Sequence, residues 1–279
     1  MEITKFSKEI LYKYHWKYRN GRDENKAIPE EIKKDLYNKF KKNVPEYQGV
    51  IPYFTLSNVE GIYKRVLYSD EDGVVFIVAP PGAGKSTVAL ILSKFIDPTL
   101  LEEPERIIFN IDELKAFLKK CAIELQRAKK SNLENEKYEN KLKGKVVLLD
   151  EGVFMMFSGD STTKDGKLVQ KLFSVIRALN LMFFVNVTNF KKVNKGVKED
   201  RIIGLIKIVR RGTLTFYSKK KIRKIRILPD NIIWPRANYT ELIGKIDKKS
   251  QYWKNYEMRK ADFLFSSLEE PEKKTNKKK

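Results

Sequence analysis

The 279-residue chain has one cysteine, Cys121, and one histidine, His15. One thiol excludes an intrachain disulfide and any multi-cysteine zinc site, and one imidazole excludes paired-histidine metal or relay chemistry. No apolar run reaches the roughly 18 residues that a membrane helix requires. The start, MEITKFSKEI, has no apolar signal core. A soluble protein of a reducing compartment, the cytoplasm, is expected. Acid is also scarce: 36 Asp and Glu stand against 57 Lys and Arg, a net charge of +21. What is present suffices for a folded core, since 42% of residues are hydrophobic and 11% aromatic.

The charge is uneven. Residues 1–190 carry 31 basic and 26 acidic side chains, residues 191–279 carry 26 and 10, and the stretch 191–226 alone carries 14 and 2. A genome bias towards lysine explains 44 Lys against 13 Arg. It does not explain why acids thin out only after residue 190. A polyanion-facing surface is expected there.

Apolar periodicity sets the expected architecture. The β-branched run Val74–Val78, bounded by the turn Ser69–Gly73, reads as a central buried strand. Arg106–Asn110, Lys145–Asp150 and Leu181–Val187 are runs of the same kind, with helical stretches near 84–96, 111–129 and 166–179 between them. Alternation of this sort gives a three-layer α/β/α fold with a mostly parallel sheet and right-handed crossovers. Residues 130–144 read as a surface loop or an extended helix. Ile202–Val209 and Thr213–Ser218 flank Arg210-Arg211-Gly212 as a β-hairpin. Residues 1–60 read as a helical N-terminal element, with a helix start at Pro29-Glu30-Glu31. Residues 61–236 form the core. Residues 237–279 add a helix around Trp253–Phe265 and a disordered basic tail.

Ala79-Pro80-Pro81-Gly82-Ala83-Gly84-Lys85-Ser86-Thr87 follows the first buried strand and opens an apolar helix. Glycines there let backbone N–H groups converge on phosphate oxygens at the positive end of a helix. The string resembles the Walker A motif GxxxxGK[ST], with Ala79 in place of the first glycine. That resemblance implies ATP binding by Pro81, Gly82, Ala83, Gly84, Lys85, Ser86 and Thr87. Lys85 would reach the β- and γ-phosphates, and the Ser86 hydroxyl would ligate Mg²⁺.

About 65 residues on, Lys145–Glu151 reads KVVLLDE. It resembles a Walker B strand, in which Asp150 holds Mg²⁺ through water and Glu151 activates the attacking water as general base. That pair marks the catalytic-glutamate ATPases of the RecA-like, AAA+ and FtsK/HerA-like kinds. A GTPase is excluded by the missing NKxD (the nearest string is Asn194-Lys195-Gly196-Val197), and an ABC ATPase by the missing LSGGQ. Thr188-Asn189, at the end of the third strand, resembles the γ-phosphate sensor of these motors. Residues 60–220 as a whole are similar to small ATPases of archaeal viruses and plasmids, a group compared with zonula-occludens-toxin-like proteins. No membrane span is present to support a toxin-like role in membrane assembly.

Ring ATPases of this kind complete each site with an arginine from a neighbouring subunit. Arg177 and Arg201 are the favoured candidates, with Arg210 and Arg211 behind them. Arg210, Arg211, Lys219, Lys220, Lys221, Arg223, Lys224 and Arg226 are candidates for gripping DNA phosphates without reading bases. The isoleucines of KKKIRKIR would pack inward. The leading expectation is an ATP-hydrolysing motor or switch acting on DNA as a homo-oligomer, for packaging, transfer or replication of a virus or mobile element. A small-molecule or nucleotide kinase and an ATP-gated adaptor are the alternatives.

Overall fold

The computed structural model describes residues 28–69, 73–133, 141–150, 175–190, 193, 202–228 and 234–268. In chain order its elements are α1 (Glu30–Asn43), β1 (Tyr47–Gln48), α2 (Tyr53–Tyr68), β2 (Gly73–Val78), α3 (Lys85–Ile96), a 3-10 turn (Pro104–Arg106), β3 (Ile107–Ile108), α4 (Ile111–Leu133), β4 (Val146–Leu149), β5 (Met182–Val187), β6 (Ile202–Arg210), β7 (Thr213–Ser218), α5 (Lys219–Ile227), β8 (Tyr239–Leu242), β9 (Lys245–Ile246) and α6 (Gln251–Leu268). Seven strands form one sheet in the order β3-β4-β5-β2-β6-β7-β8, and β1 pairs with β9 in a separate two-stranded ribbon. The five strands from β3 to β6 in that order run parallel, while β7 and β8 are antiparallel additions.

The continuous apolar runs of the sequence are the central strands. β2, β4 and β5 are buried at every position because helices cover both faces of the sheet. Strand parity sorts their side chains between two cores. Val75, Ile77, Leu148 and Phe184 meet α1, α2, α3 and α6 on one face. Val74, Phe76, Leu149 and Phe183 meet α4 and α5 on the other. α1 begins at Glu30 behind Pro29, with Glu30 and Glu31 in its first turn, where acids favour a helix start.

One element differs from expectation. β3 is only two residues long, because the 3-10 turn takes the preceding Arg106. The string KKKIRKIR folds as helix α5, whose three-residue spacing buries Ile222 and Ile225. The tail from residue 269, most of the expected helix at 166–179 and residues 1–27 of the N-terminal element lie outside the described residues. No described helix is long and apolar enough to cross a membrane.

Candidate nucleotide site

The loop between β2 and α3 turns on two left-handed glycines, Gly82 (φ 74°) and Gly84 (φ 97°). A side chain at either would meet open space, so the requirement is backbone conformation and access rather than packing. Gly84 is the N-cap of α3, whose first residues are Lys85, Ser86 and Thr87. Lys85 is only 4% exposed, and its ammonium donates to the carbonyls of Ala79 (2.9 Å) and Pro80 (3.2 Å). It is thus folded over the loop that would surround a phosphate.

Asp150 follows β4 directly and is 1% exposed. Because it shares parity with Leu148, it points to the α3 face. Asn186 shares parity with Phe184 on the neighbouring strand and points the same way. The Asn186 amide donates to Asp150 Oδ1 (3.0 Å), and the Ser86 hydroxyl donates to Asp150 Oδ2 (3.3 Å). Tyr256, from α6 more than a hundred residues later, also donates its hydroxyl to Oδ2. Burial, and then the adjacent Asp150 charge, push the Tyr256 hydroxyl far above its ordinary pKa, so it remains a donor. Asn186 Oδ1 is buried with no hydrogen-bond partner among the described residues.

Beside the loop lies a cavity of about 760 Å³, within the range of small-molecule sites. One wall is Ala83, Gly84, Thr87 and Val88; the other is the hairpin turn Arg211-Gly212, the segment 243–249 and Trp253. Ile243 and Ile246 make this second wall partly apolar, and Lys245, Lys248 and Lys249 make it cationic. Gly244 is required there, since a Cβ would lie 2.0 Å from the Gln48 carbonyl oxygen.

The residues fit a metal–nucleotide complex. A glycine loop with two left-handed residues, a lysine and a helix N-terminus suit phosphate. A serine hydroxyl beside a buried carboxylate suits Mg²⁺, which takes one or two protein oxygens and completes its shell with phosphate and water. No cluster of three or more His, Cys, Asp or Glu occurs among the described residues, so a cage built from such side chains is not offered there.

The other expected residues fall in several places. Glu151 and Arg201 lie outside the described residues. Thr188 and Asn189 are exposed beyond the end of β5; Asn186 is the β5 amide that touches Asp150. Arg177 is exposed and precedes β5, at the amino ends of the parallel strands and thus away from the loop. The expected DNA-gripping set divides in two. Arg210 and Arg211 sit at the hairpin tip, where Arg211 lines the cavity. α5 begins at the other end of β7, about 20 Å away for a six-residue strand. On α5, Lys220, Arg223 and Lys224 are exposed, whereas Lys219 and Arg226 are half-buried. Lys221 donates to the carbonyls of Arg236 (2.7 Å) and Ala237 (2.8 Å). Burial, then Arg236 and Lys224, lower its pKa.

Asn186, Tyr256 and the 243–249 wall were not singled out from sequence. Asn186 had a signal, as the lone polar residue inside LMFFVNV. Tyr252, Tyr256 and Phe263 share a helical stripe, but nothing in that spacing says which surface it covers.

No family model matches the sequence, and no curated protein matches it. Among solved structures, the chain is similar to the pCW3 conjugation coupling protein TcpA, determined as a monomer with ATPγS, at 14% identity and a TM-score of 0.40. That likeness covers 68% of this chain and 66% of the coupling protein. It is similar also to the cytoplasmic domain of EssC at 14% identity and a TM-score of 0.38, over 71% of this chain and 46% of that one. The chain therefore spans just under two thirds of the first and less than half of the second. Its own geometry is a mixed α/β fold whose mostly parallel sheet carries a glycine loop and a buried carboxylate side by side.

Proposed function

We propose that the chain is a P-loop ATPase that hydrolyses ATP with Mg²⁺ and acts on DNA as a homo-oligomer, in the service of a virus or mobile element. The observation that carries the ATP reading is the convergence of Lys85, Ser86, Asp150 and Asn186 at the carboxyl ends of the strands, the usual ligand side of such sheets. The phosphates would lie along Gly82–Thr87, and Lys85 would exchange its carbonyl partners for phosphate oxygens. The adjoining cavity accommodates the nucleoside between Val88 and the 243–249 wall. Ser86 and Asp150 would hold Mg²⁺, which when bound neutralises phosphate charge. β5 separates the loop strand from the Asp150 strand, a spacing of about 10 Å. Glu151 would be the base for the lytic water, and the Asn186 amide of β5 holds Asp150 in place.

The DNA reading is supported by α5, a helix with no acid that presents Lys220, Arg223 and Lys224 outward over a buried isoleucine stripe. Such a surface binds phosphates with steep salt dependence and little sequence preference. Arg211, at the cavity, fits a phosphate-facing role in the site better than a DNA-facing one.

The deciding experiment measures ATP turnover by the wild type and Lys85→Ala, with and without single- and double-stranded DNA, at two salt concentrations. Turnover is expected in the wild type, rising with DNA at low salt, and falling about a hundredfold or more in Lys85→Ala. No turnover with any DNA would favour an ATP-gated adaptor, and strict dependence on a small acceptor would favour a kinase.

A further inference from the structure

We propose that Tyr256 is a positioning residue for the carboxylate Asp150, so that the hydroxyl it brings from α6 sets the affinity of the site for Mg²⁺. The inference rests on the reading of the loop and Asp150 as a Mg²⁺–nucleotide site, and it adds an element that neither sequence motif contains.

Three observations carry it. The first is the contact. Tyr256 has no exposed surface, and its hydroxyl donates to Asp150 Oδ2, the oxygen that also accepts from Ser86 (3.3 Å). With Asn186 on Oδ1 (3.0 Å), the carboxylate plane is set from α3, β5 and α6 together. The second is the chemistry of the donor. A phenol orients a carboxylate by hydrogen bonding and brings no positive charge to oppose a cation, as a lysine or arginine in its place would. Second-shell donors of this kind tune the geometry and affinity of metal ligands.

The third observation is that Tyr256 is itself held in place. The Tyr252 hydroxyl donates to the Leu90 carbonyl (3.2 Å), and the Lys94 ammonium lies 4.1 Å from the Tyr252 ring centre. The Arg259 guanidinium donates to the Ile107 carbonyl (2.6 and 3.2 Å) and lies 3.7 Å from Glu113. Phe109 packs on Tyr256 and stacks on Phe263 at 5.5 Å. Residues 252, 256, 259 and 263 lie along one helical stripe. They clamp α6 to α3 on one side and to β3 and α4 on the other, with the hydroxyl between.

The test uses the full chain and a fluorescent ATP analogue. Its affinity is measured in EDTA and across a Mg²⁺ titration for the wild type, Tyr256→Phe and Phe263→Ala, with thermal melts of all three. Tyr256→Phe keeps the ring and removes the donor. It should leave the EDTA affinity within twofold and raise the Mg²⁺ concentration for half-saturation about fivefold, the equivalent of one hydrogen bond. Phe263→Ala should lower the melting temperature more than Tyr256→Phe while shifting the Mg²⁺ requirement less. A Mg²⁺ requirement in Tyr256→Phe equal to that of the wild type overturns the proposal and leaves the ATP reading standing. Equal shifts in both variants overturn it in favour of simple helix docking. A wild type that binds no analogue in either condition overturns both readings.

Discussion

Two buried aspartates on the same face of the sheet are held in different ways. Asp97 ends α3 at the amino ends of the strands. It accepts from the Arg106 guanidinium (2.5 Å), the Val146 N–H (3.0 Å) and the Thr99 hydroxyl (2.7 Å). Asp150 stands at the carboxyl ends, and the hydrogen bonds from Ser86, Asn186 and Tyr256 all come from uncharged groups. A carboxylate closed by a guanidinium fastens helix to sheet. One oriented by neutral donors keeps a field that a cation can use. Burial and the face of the sheet are alike in the two; the charge of these donors differs.

The largest effect that would break this comparison is on stability. Asp97→Asn removes the buried one of the two carboxylates that pair with the Arg106 guanidinium, leaving Glu103 at 3.2 Å, and should cost about 3 kcal/mol in urea unfolding. Asp150→Asn should cost about 1 kcal/mol or less and abolish the Mg²⁺ enhancement of nucleotide binding. Equal losses of stability would erase the distinction.

Acid sharpens it. Burial pushes the Asp97 carboxyl up, but the Arg106 charge and the hydrogen bonds from Val146, Thr99 and Arg106 outweigh it and hold the pKa below the usual value. The stabilisation is therefore present above the unfolded pKa, about 3.9, and is lost as pH falls through the lower folded value. Unfolding midpoints measured from pH 7 to pH 3 should drop steeply below about pH 4 in the wild type and more gently in Asp97→Asn.

Gly84→Ala tests the loop end of the same helix. Its φ of 97° is costly for alanine although space is open, so about 1–2 kcal/mol of strain is expected. Loss of nucleotide affinity should exceed loss of stability, because relaxing the strain turns N–H groups away from the phosphates. A melting temperature that falls while affinity holds would reassign the loop to structure.

The smallest effect concerns the opposite face. Burial pushes the Cys121 thiol to about 12. Labelling by a disulfide reagent at pH 8 should be negligible in the native state and should track global unfolding. Rapid labelling would show that the α4 face opens independently of the face that carries the aspartates.

The motif residues were legible because short-range chemistry dictates them. Gly82, Gly84, Lys85 and Ser86 are fixed by what a phosphate-binding turn demands, and Val146–Leu149 ending in Asp150 by the period of a buried strand. The β6–β7 hairpin was legible from its turn for the same reason. Helix α5 was not read as a helix, since nine residues rich in lysine and isoleucine fit either period. Asn186 was not singled out, because only strand register shows that its amide lies beside Asp150. Tyr256 lay beyond sequence reasoning altogether, being 106 residues from its partner.

Local periodicity and backbone conformation were enough to read the class of sheet, the glycine loop and the identity of the buried acid from the amino-acid order. How the excess charge divides depends on the fold. The fold set Arg211 at the cavity beside the glycine loop and α5 at the far end of the hairpin, because an antiparallel strand carries the chain back along the length of the sheet. It also brought α6 onto the Asp150 carboxylate. That placement depends on long-range packing of aromatic side chains, which no local pattern encodes.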